Sequence, residues 1–440
     1  MKRVHFVGIG GIGMSALAQM LAHDGWSVSG SDREASPVTE MLEEKGIHVA
    51  VPQQAENVPE GAELVVYSDA VPEDNPERAE SARRGIGQKS YFQMLGEVSK
   101  GKRTIAVAGT HGKTTTTGML GKILVDAGAS PTVIVGSLMK DFGSNYVAPS
   151  TTLGAGGTSD LFIVEACEYR DHLLELSPEV LVVTNLEWDH TDYFPSLEAL
   201  QETFRKAIAK VPPAGAIVTN PANPNIAPLL AAAKARIIDY TQERAYDLQL
   251  PGQFNVENAR AAAAAARAVL PQLAEEVLEH SLESFQGTWR RFEYKGKTAQ
   301  GAFVYDDYAH HPTAIRETLK ALRAKATGKV FVAFHPHLYS RTRDLLDGFA
   351  HAFSDADEVL IAPIYAAREK DDGTVSNALL AERIAATGTR ARAADFAEIE
   401  RVLATEPASG DLVMTMGAGD IYKVADALVG AHMGTVAVHA

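Results

Sequence analysis

Short apolar, β-branched runs alternate with stretches of helical spacing almost from one end of the chain to the other. Residues 4–7, 27–30, 64–67, 105–108, 161–165, 180–184, 216–219, 330–334, 359–362 and 412–416 have the length and composition of strands. Helix-like segments lie between them, so the pattern predicts an α/β protein throughout. The rhythm breaks at the polar, basic turn 99–102 and again at 286–289. These breaks divide the chain into three domains, residues 1–100, 101–288 and 289–440. No repeat of solenoid length is present, and the glycine-rich stretch 154–159 reads as a flexible loop.

Composition narrows the class. With 440 residues, 46% of them hydrophobic, the chain can bury several cores. A formal charge of −15 argues against a nucleic-acid surface. Anionic ligands must therefore be held locally, by glycine loops and single basic residues. The single cysteine, Cys167, excludes an internal disulfide, and glycines interrupt the apolar start MKRVHFVGIGGIGM where a secretory segment needs an unbroken run. Nowhere do 18 apolar residues follow one another. A cytoplasmic protein without membrane insertion is expected.

Two glycine loops carry the chemistry. Gly109, Thr110, His111, Gly112, Lys113 and Thr114 stand between the apolar run 104–108 and the helix-like stretch 115–127. Strand, glycine loop and helix start together make a phosphate cradle. Backbone N–H groups meet the phosphate oxygens, the helix N-terminus adds positive potential, Lys113 supplies a charge and Thr114 a hydroxyl for Mg²⁺. The first glycine is two residues closer to the lysine than in a Walker A motif, and an ATP-consuming enzyme is expected. The other loop, the first in chain order, is Gly8, Ile9, Gly10, Gly11, Ile12 and Gly13; it follows the first strand, and Asp32 ends the next, the spacing at which an acid meets a ribose hydroxyl. Spacing alone leaves NAD and a nucleotide sugar both open. An ATP-dependent enzyme acting on a nucleotide-linked substrate uses both loops, whereas a dehydrogenase leaves Lys113 idle.

Further polar residues follow the central strands. Glu165 ends the run 161–164, and Asn185, Asp189 and His190 follow 181–184. Carboxyl ends of parallel strands face the ligand crevice in an open sheet. Glu165 and, less strongly, His190 are thus placed as Mg²⁺ ligands near the phosphates. Glu168, Asp189 and Asp192 are expected on solvated faces, and Cys167 is expected to pack.

These residues resemble the Mur ligases, the ATP-dependent amino-acid ligases of peptidoglycan synthesis. The resemblance runs over essentially the full length. It rests on the GTHGKTT loop at 109–115, Glu165, the Asp189–His190 pair, Asn255 and Asn258 in GQFNVENARAA, Arg291 in WRRFE, and DYAHHP at 307–312. Within the family, GIGGIGMSA, SGSD at 29–32, DNPE at 74–77, PHLYSRT at 336–342 and GAGDIY at 417–422 point to the alanine-adding member. A relative that adds a whole tripeptide looks different at PHLYSRT.

The resemblance implies an N-terminal Rossmann-like nucleotide-sugar domain, a central P-loop-type ATPase domain and a C-terminal Rossmann-like domain. It implies that L-alanine is joined to the carboxylate of UDP-N-acetylmuramate, with ATP and Mg²⁺, through an acyl phosphate, in a monomer or weak homodimer. Lys113, Glu165, His190 and Arg291 would carry catalysis. ATP would be held by Gly109, Thr110, His111, Gly112, Lys113, Thr114, Thr115, Asn258, Arg291, Asp307 and His310, and the metal by Thr114, Glu165 and His190. Gly8, Gly10, Gly11, Gly13, Ser31, Asp32 and Ser68 would bind the UDP substrate, and His337 and Arg341 the amino acid. Residues 286–291 would form a hinge. The chain departs from the family pattern in EACEYRDHLL around Glu165 and at Leu338, where many relatives carry arginine. Phe204 stands where members that add later residues carry a carbamoylated lysine.

Overall fold

A computed structural model describes residues 2–150 and 160–430. The expected loop 154–159 lies outside the described residues. The remaining chain builds three sheets. The first is five-stranded and all parallel: β1 (Arg3–Val7), β2 (Ser27–Ser31), β3 (His48–Ala50), β4 (Leu64–Tyr67) and β5 (Gly87–Ser90), in the order β3-β2-β1-β4-β5. The second has seven strands: β6 (Arg103–Ala108), β7 (Thr132–Met139), β8 (Ser144–Val147), β9 (Leu161–Glu165), β10 (Val180–Val183), β11 (Ala216–Thr219) and β12 (Arg236–Asp239). Their order is β12-β11-β10-β6-β9-β7-β8, parallel except for the β7–β8 hairpin. The third comprises β13 (Glu293–Lys297), β14 (Phe303–Asp307), β15 (Val330–Phe334), β16 (Glu358–Ile361), β17 (Arg390–Ala393) and β18 (Leu412–Met416), in the order β13-β14-β18-β15-β16-β17, with only β13 antiparallel.

The chain is therefore a three-domain α/β protein. Packed compactly, the first two sheets belong to one unit (Met1–Leu186, Gln201–Asp247, Asn258–Phe285) and the third to another (Glu187–Leu200, Leu248–Glu257 and the chain from Gln286). Among the described residues, no helix is long and apolar enough to cross a membrane.

The central runs became strands because both of their faces are covered. Ile105 to Ala108, Leu161 to Val164 and Leu181 to Val183 are fully buried, which is how a central parallel strand reads in sequence. Strands without such a run escaped the pattern. β3 (HVA), β5 (GQKS), β12 (RIID) and β17 (RARA) lie at or next to sheet edges and carry polar or exposed residues. The hairpin β7–β8 and the pair β13–β14 were also missed; β13 reads EYKGK, with polar positions around a register shift between Tyr294 and Gly296. The helix expected at 115–127 begins two residues earlier, as Lys113–Asp126.

In the first sheet the strand order reverses between β1 and β4. Glycines 8–13 follow β1 and Ser68 follows β4 at this switch point, where open α/β sheets bind ligands. A buried carboxylate holds it together. Glu77 Oε2 accepts from Ser31 Oγ at 2.5 Å and pairs with His5 Nε2 at 3.1 Å, while Oε1 accepts from Gln54 N at 3.1 Å and Asn57 Nδ2 at 2.8 Å. Burial raises the Glu77 carboxyl, but the bonds from His5, Ser31 and Asn57 outweigh it and hold the group below its ordinary value.

A carboxyl depressed in the folded state stabilises above its unfolded pKa, and that contribution is lost as pH falls through the folded value. Removing it at neutral pH leaves buried donors unpaired, at about 1–3 kcal/mol each. Glu77→Gln is expected to lower the melting temperature at pH 7, and the gap to the natural protein should narrow in melts taken toward pH 3. A gap that stays constant would show that the charge contributes nothing.

Candidate active site

The phosphate loop is shaped by two glycines with no room for a side chain. Gly109 has φ of 127°, and a Cβ there would stand 2.2 Å from Thr184 Oγ1. Gly112, at φ 82°, caps the helix Lys113–Asp126, and its Cβ would stand 2.1 Å from Asn258 Oδ1. The loop is braced from the end of β10: Asn185 Oδ1 accepts from His111 N at 2.9 Å, while Asn185 Nδ2 and Thr184 Oγ1 donate to His111 O at 3.0 and 2.6 Å. Asn185 O accepts from Thr110 N at 3.2 Å. No acid stands in the first turn of the helix, so the helix itself leaves its positive end uncompensated. Thr115 is buried beneath the loop.

Lys113 and Thr114 reach two acids carried by β9 and the turn after it. Thr114 Oγ1 donates to Glu165 Oε1 at 3.0 Å, and Gly136 N, on β7, donates to Glu165 Oε2 at 2.8 Å. Lys113 Nζ lies 3.0 and 3.1 Å from the two oxygens of Glu168 and donates to Gly109 O at 2.5 Å. Burial pulls the Lys113 ammonium down, but the charges of Glu168 and Glu165 outweigh it, so its pKa rises and the group stays charged. Glu168 is thus not the solvated acid expected. It is 1% exposed and paired with an ammonium whose own side chain is only 15% exposed, so the charge of each offsets part of the other's lost hydration. Between the two acids, the Cys167 thiol is pushed up to about 12, first by burial and then by Glu168, and stays protonated. The turn continues through Arg170 and Asp171, both left-handed at φ 51° and 63°.

At the first glycine loop, Gly8 N and Ile9 N both donate to Ser31 O at 2.9 Å, and Gly10 N donates to Asp32 Oδ2 at 2.8 Å. Asp32 thus braces the loop with the carboxylate expected to face a ribose. Close packing excludes side chains here too: a Cβ on Gly13 would stand 2.7 Å from Tyr91, and one on Gly8 would stand 3.2 Å from Ser68 Cβ. Gly11 is the N-cap of the helix Ile12–His23.

The second unit holds another cluster. Arg341 is 1% exposed; its Nε donates to Asp189 Oδ1 at 2.7 Å, and its Nη1 lies 2.8 Å from His337 Nδ1. A guanidinium only donates, so His337 Nδ1 accepts and the ring proton sits on Nε2. Burial and then the Arg341 charge lower His337 to about 3 and hold His310 well below its ordinary value, so both rings are neutral. Asp189 was expected on a solvated face and is instead buried. Burial alone would raise it, but Arg341 holds it well below the usual carboxylate range. Asp192 does lie at the surface, where it pairs with Arg368. Asp307 accepts from Phe292 N and Ala309 N, each at 2.7 Å; burial raises it to about 6 against the Arg291 charge. Arg291 packs its guanidinium 5.0 Å from the Tyr308 ring, whereas its neighbour Arg290 is buried on Asp306 at 2.8 Å. Asn255 Nδ2 donates to Pro251 O at 2.7 Å.

Residues 3–103 match the family profile "Mur ligase family, catalytic domain", residues 107–248 "Mur ligase middle domain" and residues 290–419 "Mur ligase, glutamate ligase domain". The chain is 37% identical to a UDP-N-acetylmuramate–L-alanine ligase of Clostridium botulinum over 455 residues, covering 97% of both chains. It is 39% identical to the enzyme of that name from Acetivibrio thermocellus, covering 97% of this chain and 95% of that one. The chain belongs to the Mur ligase family. Among solved structures it is similar to the UDP-N-acetylmuramate-alanine ligase of Thermotoga maritima, with a TM-score of 0.79, 27% identity and coverage of 98% and 99%. It is also similar to a murein peptide ligase of Psychrobacter arcticus, with a TM-score of 0.72, 25% identity and full coverage of both chains.

In this Mur ligase the first unit brings together Gly109 to Thr115, Glu165 and Asn258, and separately Gly8 to Gly13, Ser31, Asp32 and Ser68. His190, Arg291, Asp307, His310, His337 and Arg341 belong to the second unit. Leu338 has φ of 71° and is fully buried, so its side chain serves the core. Phe204 is likewise fully buried. Sequence reasoning missed the Thr184 and Asn185 brace, the Gly136 amide and the Lys113–Glu168 pair. Only the last had a signal, an acid three residues beyond Glu165 in the same strand-end turn.

Arg341→Ala would leave Asp189 buried without its cation. A loss of about 3–5 kcal/mol of stability is expected in denaturant unfolding, with partial recovery in the double variant Asp189→Asn/Arg341→Met. No recovery would mean that the two residues act independently.

Proposed function

We propose that this ligase joins L-alanine to the carboxylate of UDP-N-acetylmuramate at the expense of ATP, and works in the cytoplasm as a monomer or weak homodimer. The observation that carries the reading is the likeness to alanine ligases along 97% of the chain, with the phosphate loop intact. A carboxylate resists an amine because oxide is a poor leaving group. Transfer of the γ-phosphoryl group to it gives an acyl phosphate, which the neutral amine of L-alanine attacks with release of phosphate.

Such a transfer asks a protein for positioning and charge compensation rather than for a nucleophile. The amides of Gly109 to Thr115 and the helix start receive the triphosphate. Lys113 is already charged and held on Glu168 and on the loop carbonyls, so it can exchange those acceptors for phosphate oxygens without changing protonation. Asn258, against Gly112, supports the loop. Thr114 and Glu165 offer hard oxygen ligands side by side, which fits Mg²⁺; the ion, when bound, neutralises phosphate charge. His190 is taken as a third ligand, and Arg291, Asp307 and His310 as nucleotide contacts. Asp307 serves through the backbone it caps. Gly8, Gly10, Gly11 and Gly13, with Ser31, Asp32 and Ser68, receive the UDP moiety. For the amino acid, Arg341 fixes the His337 tautomer so that Nε2–H points away from the pair, a donor suited to the alanine carboxylate.

Phosphate release with MgATP and UDP-N-acetylmuramate tests the reading. Release should be strongest with L-alanine, giving a product heavier by one alanine. Release only with a wall tripeptide would assign the recycling reaction instead. A pocket of this kind discriminates against a missing methyl by only about 1–3 kcal/mol, so glycine should be used roughly 10–200-fold less efficiently. Lys113→Ala should lower the rate by at least about 100-fold. A variant retaining most of the rate would remove Lys113 from phosphoryl transfer.

A further inference from the structure

The helix Ile12–His23, which begins at the first glycine loop, is held at its start by a residue of the second sheet. Asn145 lies on β8 and is fully buried. Its Nδ2 donates to Ile12 O at 2.5 Å and to Ser15 Oγ at 2.9 Å, and its Oδ1 accepts from Gln19 Nε2 at 3.1 Å. Both donors and the acceptor of the amide are thus engaged on one face of that helix. Gln19 is fixed in turn, because its Oε1 accepts from Lys45 Nζ at 2.8 Å. Ile12 directly follows Gly11, the N-cap, so the bond grips the backbone beside the glycine loop.

The same hairpin grips Glu165. β7 pairs with β9 through Ile134, and its register with β8 shifts between Ile134 and Met139. In that irregular stretch Gly136 N donates to Glu165 Oε2, and a Cβ on Gly136 would stand 2.6 Å from that oxygen. One strand of the hairpin therefore holds the acid beside the phosphate loop, and the other holds the start of the nucleotide-sugar loop's helix. Apolar packing of helix on hairpin tolerates sliding, whereas three directed hydrogen bonds from a buried amide set one register.

We infer that Asn145 is a positioning residue, which fixes the first glycine loop relative to Glu165 and so sets where a substrate carboxylate stands against the phosphate loop. The inference rests on the reaction proposed above. Asn145 is fully buried with its amide engaged by Ile12, Ser15 and Gln19, so its removal should leave each site able to bind and spoil only their mutual placement. Misplacement by about 1 Å costs on the order of 100-fold in rate.

The test compares the natural protein with Asn145→Ala and Asn145→Asp, which keeps the acceptor but cannot donate to Ile12 O. Binding of MgADP and of UDP-N-acetylmuramate is measured separately by calorimetry, and kcat by phosphate release with L-alanine. Both affinities should stay within about twofold while kcat falls at least about 10-fold. A kcat unchanged in a folded variant overturns the inference, as does a loss confined to UDP-N-acetylmuramate affinity. Should both Asn145 variants fail to fold, Gln19→Met removes the brace behind the amide and is judged by the same split. A natural protein that releases no phosphate would defeat the proposed reaction and this inference with it; turnover in natural and variant proteins alike would defeat this inference alone.

Discussion

The carboxylate of Glu165 is the point on which the first unit turns. It ends a fully buried strand, and both its oxygens are engaged, one by Thr114 Oγ1 and the other by Gly136 N. A partly buried carboxylate is stabilised by donors that replace its lost water. Here the donors come from the helix that follows the phosphate loop and from the neighbouring strand, so a single group ties loop, strand and hairpin together. Those two oxygens are also the ones suited to a hard cation, which makes the structural tie and the proposed chemistry the same atoms.

Charge is handled alike in both units. Each holds a cation away from water on a buried acid: Lys113 on Glu168, and Arg341 on Asp189. Burying either cation without a partner would cost several kcal/mol in lost hydration. The pairing offsets that cost and aims the cations. In the proposed reaction, an anionic substrate would meet a group whose desolvation has already been compensated, so that binding would exchange partners rather than bury charge afresh. The neutral imidazoles of His310 and His337 follow first from burial and then from the Arg341 charge, which opposes their protonation.

Much of the fold was legible because a buried parallel strand writes itself as an unbroken apolar run. LVVY at β4, LFIVE at β9 and VFVAF at β15 are examples. GQKS at β5 and RARA at β17 were illegible, because an edge strand with an exposed face owes its pairing to its neighbour and not to its own hydrophobicity. The glycine loops were legible for a different reason: Gly109 and Gly112 occupy backbone conformations and spaces that other residues do not fit. Glu168 and Asp189 were misjudged as solvated acids, since nothing local to either shows that a cation 55 or 152 residues away will bury beside it.

The amino-acid sequence by itself determined the α/β class, the central strands, the two glycine loops and the family, because these rest on local backbone demands and on runs of side chains that must leave water. Only the tertiary structure decided which acids are buried, which of Arg290 and Arg291 enters the core, and that Asn145 reaches the start of the first glycine loop's helix from 133 residues away. Those outcomes depend on partners brought together by folding, and a buried charge or amide is defined by its partner.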